Sequence, residues 1–445
     1  MTAGRGAAGR VSGRHTAGWE LTTAHVRAIV LGGGGALAAV VSHRIDLLVL
    51  AVPFLVVATW GALTRPRHPL GVRAHLGNDT LAEGQAIRWT ATLEIPAHAD
   101  ETTVRLSPGA FVEEDPATDR SAVRRPGDGT STERVIPARA TRWGRRRIGP
   151  GLVAARSPWW AYRTPVIEVG AFDVVVTPAT TTFDAHAPTP QPEGIVGVHR
   201  AGRLGSGSEF ATIRPFQVGD RLRRIHWPAS QRTGTLQVRT THADADAHVV
   251  LVVDAFSDLG PREGIDGRPT SLDLTVRSAA AVAQHYLGSG DRVSLRVLGS
   301  DGPARLPAGS GPGQRRRVLD VLARITPAAD RDLATVAGVD GLSSGSLVVI
   351  FTPLVHHAMA AVVARTASRG LTTIVVDTLP THLGADADDP FLTLAWRIRR
   401  LDRQDELHRL RTAGVPVVPW HGPGSLDLVL RDLGARARSP RLVRR

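Results

Sequence analysis

Hydrophobic and polar positions follow three successive patterns along the chain. Two long apolar runs occur near the start, the middle alternates apolar and polar positions, and the last part alternates continuous apolar segments with amphipathic ones. The first pattern predicts membrane helices, the second half-buried strands, and the third strands that alternate with helices. We therefore expect a multidomain protein with a transmembrane helical hairpin, a β-sandwich-like middle domain and a C-terminal α/β domain of the Rossmann type.

The two apolar runs predict a two-helix transmembrane hairpin over residues 25–64. Residues 47–63 are long enough to cross a bilayer, and Trp60 lies where an interfacial aromatic is expected. Residues 28–41 are fewer, so this first span requires that residues 21–27 contribute. A secretory signal peptide is the alternative, but no small-residue cleavage site follows the second run.

Arginines flank both outer ends of the apolar runs, from Arg5 to Arg27 before the first run and at Arg65, Arg67 and Arg73 after the second. The positive-inside rule then predicts a multi-pass protein of the cell membrane whose soluble domains lie in the cytoplasm. Residues 1–24 are polar and rich in Gly, Ala and Arg, which predicts a disordered tail.

Residues 70–180 predict a β-rich, sandwich-like domain, because short alternating segments are separated by Pro, Gly and Asp. Within it, the stretch SPWWAYRT at 157–164 has three aromatic residues, which fit a binding patch or, preferably, a core or domain contact. Residues 245–440 predict a parallel sheet covered by helices, with ligands expected at the carboxyl ends of its strands. Asp254 lies at one such end.

Composition removes several kinds of chemistry. All 54 basic residues are arginines and cysteine is absent, so a Walker A lysine, a Schiff-base lysine and a thiol nucleophile are excluded. The chain is therefore not expected to be a P-loop ATPase itself. Its formal charge of +13 suggests nucleic acid or an anionic membrane. Arginine in place of every lysine indicates GC-rich codon usage, however, so part of this charge reflects composition and nucleic acid is the less favoured partner.

A distinct stretch over residues 200–240 is rich in Arg and Trp and contains GSGSEFATIRPFQVGDRLRRIHWPASQRTG. No periodic apolar pattern explains it. We interpret it as a structured joint between the two soluble domains, in which arginines pair with acids and Trp227 packs on the sheet. A partner-docking face is the alternative.

This order of parts resembles the family called domain of unknown function 58. The resemblance implies a von Willebrand factor A-like C-terminal domain and a MoxR-type AAA+ ATPase as partner. It also implies a structural or partner-binding role for the residues of the central motif, which are Glu209, Phe210, Arg214, Gly219, Asp220, Arg224, Ile225, Trp227 and Arg232.

A metal-binding von Willebrand A domain would carry D-x-S-x-S after its first strand. This chain reads DAFSD there, so Asp254 is kept while Phe256 and Asp258 replace the two serines. A later strand ends in Thr352 and Pro353 where an aspartate is expected. Because Mg²⁺ needs several oxygen ligands, we expect a degenerate metal site and no cofactor.

Three hypotheses follow from these patterns. The first is a membrane-anchored interaction or adaptor protein that works with a MoxR-type ATPase in the assembly or maturation of protein complexes. The second is a nucleic-acid-binding protein that uses the arginine-rich segment, and the third is a metal-dependent hydrolase at Asp254. The first is preferred because the residues form no catalytic set, so an enzyme is not expected. The client and any small-molecule substrate are not identified by the sequence.

Overall fold

The computed structural model describes residues 10–77, 80–114, 123–124, 131–180, 199–217, 222, 225–245, 248–301, 305–328, 342, 346–383, 390–422, 425 and 427. The chain divides into two compact units, Met1–Thr177 and Pro178–Arg445.

The first unit contains two helices followed by a β-sandwich. Its helices are α1 (Thr23–Ser42) and α2 (Ile45–Leu63), and a 3₁₀ turn covers Pro158–Trp160. Its strands are β1 (Arg10–Val11), β2 (His15–Ala17), β3 (Glu20–Leu21), β4 (Leu70–Leu76), β5 (Thr80–Ala82), β6 (Ala86–Glu94), β7 (Glu101–Pro108), β8 (Val112–Glu114), β9 (Val123–Arg124), β10 (Ser131–Ala140), β11 (Gly144–Arg156), β12 (Tyr162–Arg163), β13 (Ile167–Val169) and β14 (Phe172–Thr177).

These strands form two sheets that share one apolar core. One sheet has the order β1-β4-β6-β10-β8, with β2 also on β4, and the other has the order β3-β12-β11-β14-β5, with β7 and β13 also on β11. Trp89 of β6 is fully buried between them, and its indole N–H donates a 2.9 Å hydrogen bond to the Gly170 carbonyl. Gly151 has to be glycine because a Cβ there would lie 2.2 Å from the Trp89 ring. The middle domain is thus a mostly antiparallel sandwich with a satisfied polar group in its core.

The disordered tail expected for residues 1–24 is wrong for the part that the structure describes. From Arg10 to Leu21 the chain forms β1, β2 and β3, and the first two pair with β4. Strand β3 pairs with β12. Backbone pairing with an available sheet edge orders this segment despite its polar composition, because each edge strand has N–H and C=O groups that need partners.

Helices α1 and α2 have the length and apolar composition of membrane spans, and most of their side chains are exposed. Helix α1 begins at Thr23, so residues before 28 do extend the first run as expected. The two helices pack closely through small residues, since a Cβ on Gly32 would lie 2.9 Å from the Leu55 nitrogen. Their exposure distinguishes them from the buried core helix of a soluble protein.

The second unit contains a two-stranded ribbon and a six-stranded sheet. The ribbon pairs β15 (His199–Pro215) with β16 (Gln237–Ala245), and the short helix α3 (Trp227–Thr233) lies between them in the chain. The remaining strands are β17 (His248–Asp254), β18 (Arg292–Leu298), β19 (Arg305–Gly309), β20 (Leu347–Thr352), β21 (Thr372–Asp377) and β22 (Val417–Pro419). The remaining helices are α4 (Ser271–Gly288), α5 (Gly311–Ala323), α6 (His357–Ser368) and α7 (Pro390–Thr412).

The sheet order is β19-β18-β17-β20-β21-β22, and all pairs are parallel except β18 with the edge strand β19. If β17 is numbered 1 and the later strands 2 to 6 in chain order, the sheet order reads 3-2-1-4-5-6, which is the order of doubly wound α/β folds. Helices α6 and α7 pack on one side of β17 and β20, in a core that includes Val250, Ile350 and Leu407. The expected alternation of strands and helices is confirmed over this range, and the last expected helix, at 425–437, lies outside the described residues except for 425 and 427.

Candidate functional site

The carboxyl ends of β17 and β20 lie where the strand order reverses, which is the place where doubly wound folds bind ligands. Asp254 ends β17 and Thr352 ends β20. The Thr352 hydroxyl donates a 2.6 Å hydrogen bond to Asp254 Oδ2, and the Phe256 N–H donates a 3.0 Å bond to Oδ1. Asp254 is only 2% exposed, and these two hydrogen bonds give each of its carboxylate oxygens a partner inside the protein.

Side chains from the two following loops close over this position. Thr352 Oγ1 also accepts a 2.9 Å hydrogen bond from the Leu354 N–H, and Leu354 has a left-handed φ of 50°. Phe256 stacks on the ring of His356 with centroids 4.6 Å apart. Left-handed backbone is rare for a leucine, so the turn is held by its surroundings. The loops that follow β17 and β20 therefore pack against each other beside Asp254.

Burial dominates the chemistry of the carboxyl group. Desolvation raises the pKa of Asp254 to about 6, and the hydrogen bonds from Thr352 and the Phe256 N–H offset part of that effect. A buried carboxyl with a raised pKa is a common feature of active sites, but structural hydrogen-bond networks produce it too.

A network of buried hydroxyls continues from this carboxylate. The Thr378 N–H donates to the Thr352 carbonyl over 3.2 Å, and the hydroxyls of Thr378 and Thr275 lie 2.6 Å apart. Thr275 belongs to α4, so the network ties three neighbouring strands to a helix. These contacts identify Asp254 as part of a structural network at the carboxyl edge.

The residues around Asp254 do not fit a magnesium ion. Phe256 has no side-chain oxygen, and the Asp258 carboxylate accepts a 3.0 Å hydrogen bond from Arg262 Nε. Among the residues that the structure describes, no group of three or more His, Asp or Glu side chains is placed to hold a metal. Because a hard cation needs several converging oxygens, this donor set does not support metal chemistry at Asp254.

A second strand-end carboxylate also has its partner within the protein. Arg403 of α7 forms an ion pair of 2.5 Å with Asp377, which ends β21, and its Nε donates a 2.7 Å hydrogen bond to the Pro353 carbonyl. The Arg403 side chain is 13% exposed. One guanidinium thus links α7 to the ends of two strands.

Two open clefts flank this arginine. The first, with a volume of about 270 Å³, lies between the start of α6 and the charged face of α7, and its lining includes His356, Arg399, Asp402, Arg403 and Glu406.

The second cleft, of about 420 Å³, lies at the ends of β21 and β22, and its lining includes Asp377, Trp396, Arg400, Arg403 and Trp420. Its volume is within the range of ligand pockets. Among these five residues the one carboxylate, Asp377, is already paired with Arg403. Arg400 therefore gives these five residues an excess of positive charge.

The structure describes only part of the central motif, the nine residues from Glu209 to Arg232 named above. Arg214 is half-buried at the end of β15, and Trp227 and Arg232 are exposed on α3. Trp227 is 61% exposed, so the expectation that it packs on the sheet is wrong. Gly219, Asp220 and Arg224 lie outside the described residues, as do the side chains of Glu209 and Phe210.

Where described, the local structure around the motif is specific. His226 caps α3, since its Nδ1 accepts from the Ala229 N–H over 3.2 Å, and Ile225 bridges to Val238 of β16. Side chains on such a short helix are held mainly by these local bonds, which leaves Trp227 and Arg232 facing solvent.

Asp377 and Arg403 did not figure in the sequence-based expectations. The motif V-V-D occurs at the end of both β17 and β21, and this repetition is a signal that would have found Asp377. Arg403 has no comparable signal, because α7 contains many arginines and its pattern does not show which one is buried.

Comparison with known proteins finds a family match over part of the second unit. Residues 212–386, from the end of β15 to a few residues after β21, match the family described as "Protein of unknown function DUF58". The chain is also 28% identical over 160 residues, 36% of its length, to the uncharacterized proteins Rv1480 and MT1527 of Mycobacterium tuberculosis and Mb1516 of Mycobacterium bovis. The aligned part covers 47% of each relative, so the chain spans about half the length of the curated relatives it matches.

Proposed function

We propose that this chain is a membrane-anchored adaptor whose α/β domain is von Willebrand factor A-like and binds a protein partner at the carboxyl edge of its sheet. The proposed partner is a MoxR-type AAA+ ATPase, and the two proteins act together in the assembly or maturation of protein complexes. The soluble domains lie in the cytoplasm, where that ATPase has its nucleotide.

One observation carries this proposal: at the carboxyl edge of the sheet, the strand-end carboxylates are paired within the protein, while two clefts are accessible to a partner. Asp254 is hydrogen-bonded to Thr352 and Asp377 is paired with Arg403, so neither strand-end carboxylate is available to act on a substrate. Two clefts of about 270 and 420 Å³ at this edge expose charged and aromatic side chains. Arginine and tryptophan are the residues most enriched at binding hot spots.

We infer the kind of partner from two things: the absence of a Walker A motif in the sequence, and the resemblance of the chain to the domain of unknown function 58 family. The sequence has no lysine and therefore no Walker A motif, so work driven by ATP requires another protein. The excess positive charge among the described residues that line the larger cleft favours an acidic segment of that protein. The ATPase itself is suggested by the resemblance to the domain of unknown function 58 family.

The proposal is tested by measuring binding of the purified MoxR-type ATPase of the same organism to the full chain in lipid nanodiscs, with ATP and with ADP. Arg400→Glu reverses a charge in the lining of the larger cleft and should weaken binding at least about tenfold, the equivalent of about 1.4 kcal/mol. Arg316→Glu on α5 is the matched control, because Arg316 is exposed and lines neither cleft.

Equal affinities for the two variants would reject the carboxyl edge as the docking surface. No binding of the unsubstituted chain in either nucleotide state would reject the ATPase as partner. The nucleic-acid hypothesis makes a separate prediction, a steep fall in affinity for single-stranded DNA with rising salt, which is measured with the same preparation.

A further inference from the structure

The stretch SPWWAYRT contains a loop, Ser157–Ala161, whose aromatic residues have different environments. Tyr162, which follows the loop, is buried, whereas Trp159 and Trp160 are 63% and 61% exposed. Both tryptophans have a φ of 58°, in the left-handed region that bulky residues rarely adopt. Two consecutive strained residues that turn indoles outward indicate a contact surface rather than a core.

This tryptophan loop is bonded directly to the base of the helical hairpin. The Thr22 hydroxyl donates a 2.6 Å hydrogen bond to the Trp160 carbonyl, and the Thr22 N–H donates to the Ala161 carbonyl over 3.1 Å. Thr22 is also the N-cap of α1. The loop therefore lies at the point where α1 begins.

The end of α2 meets the same loop. A Cβ built on Gly61 would lie 2.8 Å from the Ala161 Cβ, so this helix approaches the loop through its last turns. A span of 19 or 20 residues matches the thickness of a hydrocarbon core. Residues beside both helix ends are then at the level of the lipid headgroups, where tryptophan is enriched.

Charge at this end of the unit fits an anionic lipid surface. Arg27, Arg65, Arg67 and Arg163 are exposed near the helix ends. The Arg156 guanidinium lies 3.9 Å from the centre of the Trp160 ring, which orients that indole. Arginines close to a bilayer are attracted to lipid phosphates.

We propose that the tryptophan loop lies in the headgroup layer of the membrane, with the indoles of Trp159 and Trp160 among the lipids, and seats the β-sandwich on the bilayer surface. This inference rests on the proposed membrane anchoring by α1 and α2. The partner of this surface is a lipid bilayer with anionic headgroups.

The absence of natural cysteine allows a direct test, because any introduced cysteine is labelled uniquely. The full chain carrying Trp159→Cys, Trp160→Cys or Val166→Cys is spin-labelled and reconstituted in vesicles of phosphatidylcholine and phosphatidylglycerol. Val166→Cys keeps both tryptophans and reports from a neighbouring exposed position. Collisions of the label with oxygen and with a water-soluble nickel complex are then measured.

The control is Ala86→Cys, an exposed position at the opposite end of the sandwich. Gly71 of β4 pairs with Glu94 near the hairpin, and Ala86 lies eight residues back along β6, roughly 26 Å away. We expect the oxygen-to-nickel accessibility ratio at 159 and 160 to exceed the ratio at 86 severalfold, with an intermediate ratio at 166.

A fourth label, Val56→Cys within α2, separates the two ways in which this inference can fail. If the label at 56 reports hydrocarbon while those at 159, 160 and 166 match the label at 86, the helices are anchored and the loop is not in the headgroup layer. If the label at 56 also reports water, the membrane anchoring itself is wrong and the inference is overturned with it.

Discussion

Helix α2 and strand β17 are both nearly continuous apolar runs, and their surroundings are opposite. In β17, Val249 to Val253 are all 0% exposed, whereas Ile45 and Leu63 at the ends of α2 are 78% and 79% exposed. The strand is covered by helices on both faces of its sheet. The helix is covered mainly by α1 on one side, and lipid is the solvent that would cover the rest.

The difference shows that an apolar run identifies the need for an apolar environment but not which environment supplies it. In the α/β domain the protein supplies it through packing, and a deleted methyl group leaves a cavity. Along α2, in the proposed membrane environment, mobile lipid tails would fill any gap. The two regions should therefore respond differently to the same substitution.

The largest expected effect is Leu251→Ala in β17, which removes a fully buried side chain. It should lower the free energy of unfolding of the α/β domain by about 2–5 kcal/mol. Leu50→Ala in α2, where the side chain is 69% exposed, should change stability far less. Hydrogen exchange in nanodiscs, followed at the β17 amides for the first variant and at the α2 amides for the second, measures both, and equal losses would contradict the comparison.

Val56→Arg in the middle of α2 tests the environment of the hairpin. Placing a charge there should cost about 2.5–3.5 kcal/mol if the helix spans a bilayer. Membrane fractionation after alkaline carbonate washing should then show part of the protein in the soluble fraction. Val135→Arg, at an exposed position of β10, should remain as membrane-bound as the natural chain.

The ends of the two runs differ as well, since β17 ends in a buried carboxyl group. The Asp254 pKa rises from its ordinary value of 3.8 to about 6, mainly through desolvation. Between these values the folded protein holds a proton that the unfolded chain has released. The contribution of Asp254 to stability should therefore be fully present below about pH 4 and be lost, by up to about 3 kcal/mol, as the pH rises through 6.

Denaturant unfolding from pH 4 to pH 7 measures this dependence, and Asp254→Asn should remove most of it. Asn keeps the acceptor for the Phe256 N–H, so this variant should still fold. An unchanged pH dependence in Asp254→Asn would assign the titration to another group.

Arg403→Ala should destabilise α7 by about 1–3 kcal/mol, because it leaves the Asp377 carboxylate and the Pro353 carbonyl without this donor. Faster hydrogen exchange confined to α7 and the end of β21 is the expected result. Arg397→Ala, at an exposed position of the same helix, is the control and should leave exchange unchanged.

The smallest expected effect is at Trp227, which is 61% exposed on α3. Trp227→Ala should change the free energy of unfolding by less than about 0.5 kcal/mol. A structural joint predicts a large loss of melting temperature instead, so thermal unfolding separates the joint from a docking face. A lower affinity for the ATPase at unchanged melting temperature would favour the docking face.

Local patterns were enough to predict the two apolar helices, the change from antiparallel strands to a parallel sheet, and Asp254 at a strand end. These features depend on residues that are close along the chain, since hydrophobic period and turn residues define an element before it packs. The short strands before α1 were not predicted, because their pairing depends on the edges that β4 and β12 offer them.

The sequence by itself determined the kinds of elements, the absence of lysine and cysteine chemistry, and the apolar runs that require burial. Only the tertiary structure decided which of those groups are satisfied and which are exposed. Thr352 lies 98 residues from Asp254 along the chain, and nothing local marks it as the donor. Trp160 and Tyr162 are two residues apart and differ in burial because strands and helices from distant parts of the chain cover one and leave the other open.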